Sequence, residues 1–159
     1  MKLLFICTHN ACRSILAEAI TRRLAGERIE VASAGSEPAG RVHPLTERFL
    51  KRHGYPTKNL HSKGFDDLGE FCPDVVITVC DSAAQESCPV WLSRDVVTAH
   101  WGLPDPSHLA GSDADRDRAF EKVAAMLNDR IEGLLAQPFE RMNEARLGEL
   151  FRSLHQADR

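Results

Sequence analysis

The sequence predicts an α/β fold: one domain built on a four-stranded parallel sheet flanked by helices on both faces, with an extra C-terminal helix. Three observations carry this. Four short apolar runs, at 2–6, 29–32, 74–79 and 96–99, have the composition of strands. Segments of helical period separate or follow them, and strands alternating with helices form βαβ units with a parallel sheet. The length, 159 residues, is close to the ~150 expected of one domain, and the 43% hydrophobic and 27% charged content suits a chain with a real core.

Each element follows from its residues. Residues 2–6 are continuously apolar, as in a strand buried on both faces. After the polar stretch Thr8 to Ser14, the residues Ile15, Leu16, Ala19, Ile20 and Leu24 recur at helical spacing until Gly26. Ile29-Glu30-Val31-Ala32 alternates as a second strand that Gly35 ends. Pro44 opens a helix carrying Leu45, Phe49 and Leu50, stopped by Gly54 and Pro56. The run 74–79 is β-branched and leads into Cys80, and 96–99 is a shorter strand. From Trp101 to Pro106 the prolines keep the chain out of regular structure. Arg116 to Leu135 places Phe120, Val123, Ala124, Leu127, Ile131 and Leu134 on one helical face. Pro138 interrupts, and Met142, Leu147, Leu150, Phe151 and Leu154 mark the last helix. That helix either covers an edge of the core or meets a second copy. The expected division is a main domain over 1–137 and a helical extension over 138–159.

Composition narrows the function. A net charge of −3 and a pI near 6.2 argue against a nucleic-acid partner, which needs clustered Lys and Arg. No run reaches the ~20 apolar residues of a membrane span, and the apolar start is too short for a secretory signal core. The expectation is a cytoplasmic protein with no membrane partner, a monomer or weak dimer. Five cysteines, an odd number without an export signal, point to thiols with chemistry rather than a disulfide framework. Cys72, Cys80 and Cys88 lack paired zinc-ligand spacing, so no metal is expected.

In a parallel sheet the binding crevice lies beyond the carboxyl ends of the strands, which here deliver Cys7, Cys80 and the segment leading to Asp105. The segment from Cys7 to Ser14 joins a strand to a helix N-terminus, whose unpaired N–H groups and dipole attract anions. Arg13 adds a fork suited to two oxygens of a tetrahedral oxyanion, and the same field favours the Cys7 thiolate, the reactive form. Ser14 is placed to donate to that sulfur and Asn10 to hold the loop's shape. The plain alternative is a buried thiol beside a solvated arginine. Neither G-x-x-x-x-G-K-[ST] nor G-x-G-x-x-G is present.

Cys7-Thr8-His9-Asn10-Ala11-Cys12-Arg13-Ser14 after an N-terminal strand resembles the low-molecular-weight protein tyrosine phosphatase superfamily, which includes arsenate reductases of the same fold. Asp105-Pro106 matches the place of the family's general-acid loop. The resemblance covers about residues 1–136. Both branches begin with a thiolate attacking a tetrahedral oxyanion while an acid protonates the departing oxygen. The stretch Val79-Cys80-Asp81-Ser82-Ala83-Ala84…Cys88-Pro89-Val90-Trp91, with His100-Trp101-Gly102-Leu103-Pro104-Asp105-Pro106, is similar to the reductase branch, of the thioredoxin-coupled type. The tyrosines that phosphatases usually carry after Asp-Pro are replaced by Ser107 and His108.

The resemblance implies Cys7, Arg13, Cys80, Cys88 and Asp105 as catalytic residues, and Thr8 to Ser14 (with His9, Asn10, Ala11, Cys12 and Arg13 between) as the oxyanion cradle. It implies a relay in which a Cys7–Cys80 disulfide becomes Cys80–Cys88, across a short polar helix between those two cysteines that can melt. The substrate would be arsenate, no cofactor would be bound, and external thioredoxin would be the reductant. Glutathione with glutaredoxin, or mycothiol, serves members with fewer internal cysteines. Two unrelated buried thiols at 80 and 88, and a loop carboxylate at 105 that merely caps the helix near Ser112, are the bland alternatives. A tyrosine phosphatase and an arsenic- or redox-sensing module are the competing functions. Cys12 either forms a protective disulfide with Cys7 or packs under the loop, and Cys72 is expected to be structural. His9 and His100 read as hydrogen-bonded structural residues. Some thioredoxin-linked members bind potassium through residues matching Asn10, Glu18 and Ser33, plus an Asp where Lys63-Gly64 stands here, so the ion is not expected.

Overall fold

Leu3, Leu4, Phe5 and Ile6 are consecutive and essentially inaccessible. Because successive strand residues point to opposite faces, β1 (Lys2–Ile6) must be covered on both sides, as the run of apolar residues predicts. The computed structural model describes residues 1–81, 83 and 96–156. The sheet it contains is parallel and four-stranded, in the order β2 (Glu30–Ala34), β1, β3 (Val75–Thr78), β4 (Val97–His100). In register, Ile6 pairs with Ala34 on one side and Thr78 on the other, and Thr78 pairs with His100. All four strands therefore end on one line, which fixes where the connecting loops can meet.

Two of the helices, those opening at Arg13 and Asp113, begin slightly before their apolar periodicity does, and the last begins after Met142, which was expected within it. α1 spans Arg13–Ala25, so Arg13 and Ser14 already belong to its first turn. α2 is Pro44–Arg52, with Pro44 at its start and Leu45 N–H donating to His43 Nδ1 at 3.1 Å. α3 is Asp113–Leu135, opened by a reciprocal cap between Ser112 and Asp115. α4 is Glu144–Gln156. Trp101 to Asp105 carry no regular structure, as expected; the expectation is corrected only at its last residue, Pro106, which opens a 3₁₀ turn at Pro106–His108. Proline's missing N–H and fixed φ are tolerated at a first helical position, so Pro106 starts a turn rather than preventing one. Of the expected short helix between Cys80 and Cys88, only Asp81 and Ala83 are among the described residues, and both are helical.

α4 packs along β4, the edge strand, and shares the core. Trp101, fully buried, stacks on Phe151 at 5.6 Å between ring centroids and leans on Phe5 at 6.1 Å. Its indole N–H donates to the Phe151 carbonyl at 2.8 Å, giving the buried polar tip its partner. The terminal helix thus covers a core edge. Among the described residues no helix is long and apolar enough to cross a membrane.

Since Phe151 is wholly buried, Phe151→Ala removes the ring that holds α4 against Trp101. The expected loss is about 3–5 kcal/mol of unfolding free energy, read from urea titrations. A loss below ~1 kcal/mol would mean that α4 contributes little to the core.

Candidate active site

The chain leaves β1 at Cys7 and re-enters regular structure at Arg13, and packing against the end of β2 fixes its path. A Cβ on Gly35 would stand 2.5 Å from the Thr8 carbonyl oxygen, 2.8 Å from that of Cys7 and 3.0 Å from the Asn10 nitrogen. Only a residue without a side chain admits the loop this closely. Asn10 adopts φ 46, a left-handed conformation that Asn tolerates better than most residues.

The loop's carbonyls are drawn to its outer side. Those of Thr8, His9 and Ala11 accept from the N–H groups of Glu37, Ala39 and His43 at 2.9–3.0 Å, and Ser62 Oγ also donates to His9. A trans peptide points its N–H opposite to its C=O. The N–H groups on the same peptides, those of His9, Asn10 and Cys12, therefore point away from these outer acceptors, to the side above the N-terminus of α1. This is the arrangement that binds an anion.

Cys7 is buried at the base of that concavity, with its Sγ 2.8 Å from Ser14 Oγ. Asn10 Nδ2 donates to Ser14 Oγ at 2.7 Å and to Ser33 Oγ at 3.0 Å, and Asn10 Oδ1 accepts from the Lys63 N–H at 2.9 Å. With its oxygen accepting from Asn10, the Ser14 hydroxyl keeps its proton free to donate to a Cys7 thiolate. The chain continues from Ser33 Oγ to Glu18 Oε2 at 3.2 Å and from Arg22 to Glu18 Oε1 at 3.0 Å. Burial pushes the Glu18 carboxyl up and the Lys63 ammonium down, and each one's charge opposes the other's shift. Lys63 Nζ also donates to the His61 carbonyl at 3.2 Å. A cationic side chain of the protein itself thus accompanies Asn10, Glu18 and Ser33.

Arg13 donates to the Leu103 carbonyl at 3.2 Å and stands 3.6 Å from Asp105 Oδ2. Cys7, Cys12, Arg13, His43, Asp105 and His108 border a cavity of about 210 Å³. Asp105 Oδ1 accepts from the Ser107 N–H at 2.9 Å and its hydroxyl at 2.6 Å, and His108 Nε2 lies 3.5 Å from Oδ2. Asp105 does act as a cap, but of the 3₁₀ turn; the helix beginning at Asp113 is capped by Ser112. Its carboxylate remains on the cavity wall.

The other cysteines separate. Cys12 packs under the loop, and its thiol is pushed up to about 12, chiefly by desolvation. Cys72, expected to be structural, is instead exposed. Cys80 is buried where the chain leaves β3, two residues past the Ile6–Thr78 pair. Its Sγ lies 3.7 Å from Thr8 Oγ1, on the residue after Cys7, and accepts from the Ala83 N–H at 3.4 Å. Cys88 lies outside the described residues. His9 sits on the rim, its Nδ1 3.1 Å from the Glu37 carbonyl. Ser107 and Lys63 had no expected part in the site. Gly35, directly after a strand and before a Pro- and Gly-containing loop, was the signal for a close backbone approach.

The family described as "Low molecular weight phosphotyrosine protein phosphatase" matches residues 2–146. The chain is 32% identical over 127 residues to an arsenate reductase of Bacillus subtilis, covering 80% of this chain and 89% of that protein. It is 38% identical over 120 residues to an arsenate reductase of Staphylococcus xylosus, covering 76% and 89%. Among solved structures it is similar to an arsenate reductase in a phosphate-binding state, with a TM-score of 0.68, 28% identity and coverage of 85% and 96%. It is also similar to a thioredoxin-dependent arsenate reductase of Corynebacterium glutamicum, with a TM-score of 0.64, 30% identity and coverage of 86% and 63%.

Two outcomes follow from this geometry. Gly35→Ala forces the loop off the end of β2, so calorimetry should record phosphate binding weakened at least about tenfold, ~1.4 kcal/mol; unchanged binding would contradict the close approach. Because the Cys12 thiol stays protonated until very alkaline pH, iodoacetamide at about pH 8 should modify Cys72 and leave Cys12 unmodified by mass spectrometry.

Proposed function

The chain belongs to the low-molecular-weight phosphotyrosine protein phosphatase family, and from that premise we propose that it is an arsenate reductase regenerated by thioredoxin. The observation that carries this reading is the Cys80 sulfur, buried at the end of β3 and within hydrogen-bonding distance of the residue that follows Cys7. Hydrolysis of a phosphoester has no use for a second thiol there. Reduction of arsenic requires one.

Arsenate enters as a tetrahedral dianion held by the loop's N–H groups and the Arg13 fork. Cys7 attacks arsenic, forming an S–As bond, while Asp105 protonates the departing oxygen, which leaves as water. The Cys80 thiolate then attacks the Cys7 sulfur. The S–S bond forms, the S–As bond breaks, and its electron pair stays on arsenic, so As(V) becomes As(III) and arsenite departs. Cys88 displaces Cys7 by thiol–disulfide exchange, and the dithiol of thioredoxin reduces the resulting Cys80–Cys88 bond. The internal thiols at 7, 80 and 88 favour thioredoxin over glutathione with glutaredoxin. Such chemistry suits a reducing compartment, the cytoplasm.

Phosphatase activity is the second reading. Cys7, Arg13 and Asp105 around one cavity are sufficient for attack on a phosphoester and protonation of its leaving group.

An assay with thioredoxin, thioredoxin reductase and NADPH separates the two. Expected is NADPH oxidation that requires arsenate, runs past one equivalent per chain, and is lost in Cys80→Ser and Cys88→Ser. Aryl-phosphate hydrolysis unaffected by those substitutions, with no arsenate-dependent NADPH consumption, would reject the reductase. A stop at one equivalent would indicate a sensing module instead.

A further inference from the structure

His100 closes β4, and both its ring nitrogens are engaged: Nδ1 lies 2.8 Å from Thr78 Oγ1 and Nε2 3.0 Å from Asp81 Oδ1. Thr78 closes β3 and Asp81 follows Cys80, so one ring spans the short stretch in which Cys80 leaves the sheet. A neutral imidazole satisfies both partners, accepting the Thr78 hydroxyl at Nδ1 and donating from Nε2 to the carboxylate. Asp81 is otherwise turned to solvent, its side chain 89% exposed.

A second observation is independent of these bonds. Gly102 has no positive φ to account for it, yet a Cβ there would stand 3.1 Å from His100 Nε2 and 3.7 Å from Asp81 Oδ1. The chain thus carries no side chain where the imidazole–carboxylate pair sits. On another side the His155 ring of α4 meets His100 edge-on at 6.1 Å between centroids. A ring held this way loses little further freedom when it grips Asp81, unlike most surface pairs, whose gain is consumed by ordering two mobile side chains.

We propose that His100 is a positioning residue for the second sulfur step: by clasping Asp81 it holds the turn that presents Cys80 to Cys7. The inference rests on the arsenate reductase reading. Attack on a sulfur needs the incoming thiolate in line with the bond that breaks, and small misplacements of reacting groups are costly in rate. The first step, Cys7 on arsenic, does not involve this turn.

The test is a rapid-quench single turnover of the reduced full-length protein with saturating arsenate and no reductant. Free thiols are trapped with N-ethylmaleimide and disulfides located by mass spectrometry. His100→Leu and Asp81→Ala should each slow formation of the first disulfide by about fivefold or more, while the arsenate KM stays within about twofold. His100→Gln, which restores an N–H donor, should recover most of the rate. Gly102→Ala should slow the wild-type background but add nothing to His100→Leu, since it acts by displacing the ring. Asp81→Ala alters an exposed residue and carries the test if His100→Leu fails to fold. A first disulfide formed at the wild-type rate in Asp81→Ala overturns the inference. So does a Gln variant as slow as Leu, or a Gly102→Ala effect that adds fully. A wild-type protein that forms no arsenate-driven disulfide overturns the reductase reading itself, and this inference with it.

Discussion

The site depends on where the carbonyls of a single loop are satisfied. A loop can offer N–H groups to an anion only if its C=O groups find partners on the opposite side, since an unpaired buried carbonyl is costly. Here the β2–α2 connection supplies those partners through Glu37, Ala39 and His43. The Asn10 amide locks the inner side by binding Ser14, Ser33 and the Lys63 backbone at once. With both amide protons and the amide oxygen engaged, Asn10 keeps a left-handed conformation that an unsupported loop would abandon. The thiol–hydroxyl contact of Cys7 with Ser14 follows from that arrangement.

Beneath the loop lies a charge problem. Glu18 is almost wholly inaccessible, and a buried carboxylate is tolerable only with compensating charge. Lys63 and Arg22 supply it, each lowering the Glu18 carboxyl against the upward push of burial, while burial likewise pushes the Lys63 ammonium down. Lys63 is tethered twice over, by its amide to Asn10 and by its ammonium to the His61 carbonyl. The polar network under the cysteine is therefore neutralised from within the chain.

Trp101 links the far end of the chain to the Asp105 segment. Its backbone N–H donates to the Thr78 carbonyl, that of Leu103 donates to the Val79 carbonyl, and the Leu103 carbonyl receives Arg13. The same indole rests on Phe151. The terminal helix, whose first turn is still within the family match, thus buttresses the segment that carries Asp105. Phe151 is its fully buried anchor, while Leu147, Leu150 and Leu154 pack partly buried against the core.

Local order along the chain was enough to locate the strands and to single out Cys7, Arg13 and Asp105, which the fold brings to one cavity. Buried parallel strands are apolar without interruption, and a loop between a strand and a helix carries its chemistry in contiguous residues such as Cys7 and Arg13. The same reasoning misjudged features whose cause is not local. α1 and α3 begin earlier than their apolar residues because polar first-turn residues lack a periodic signature, and Met142 falls before α4 rather than in it. Cys72 emerged exposed although its neighbours suggested a structural place. Lys63 beside Glu18, Gly35 beneath Thr8, Ser107 on Asp105 and the His100–Asp81 pair join residues separated in sequence or read as mere turn chemistry. Burial and hydrogen-bond partners arise only when strands come into register, so composition and period determined which elements exist, whereas the packed sheet decided which side chains meet.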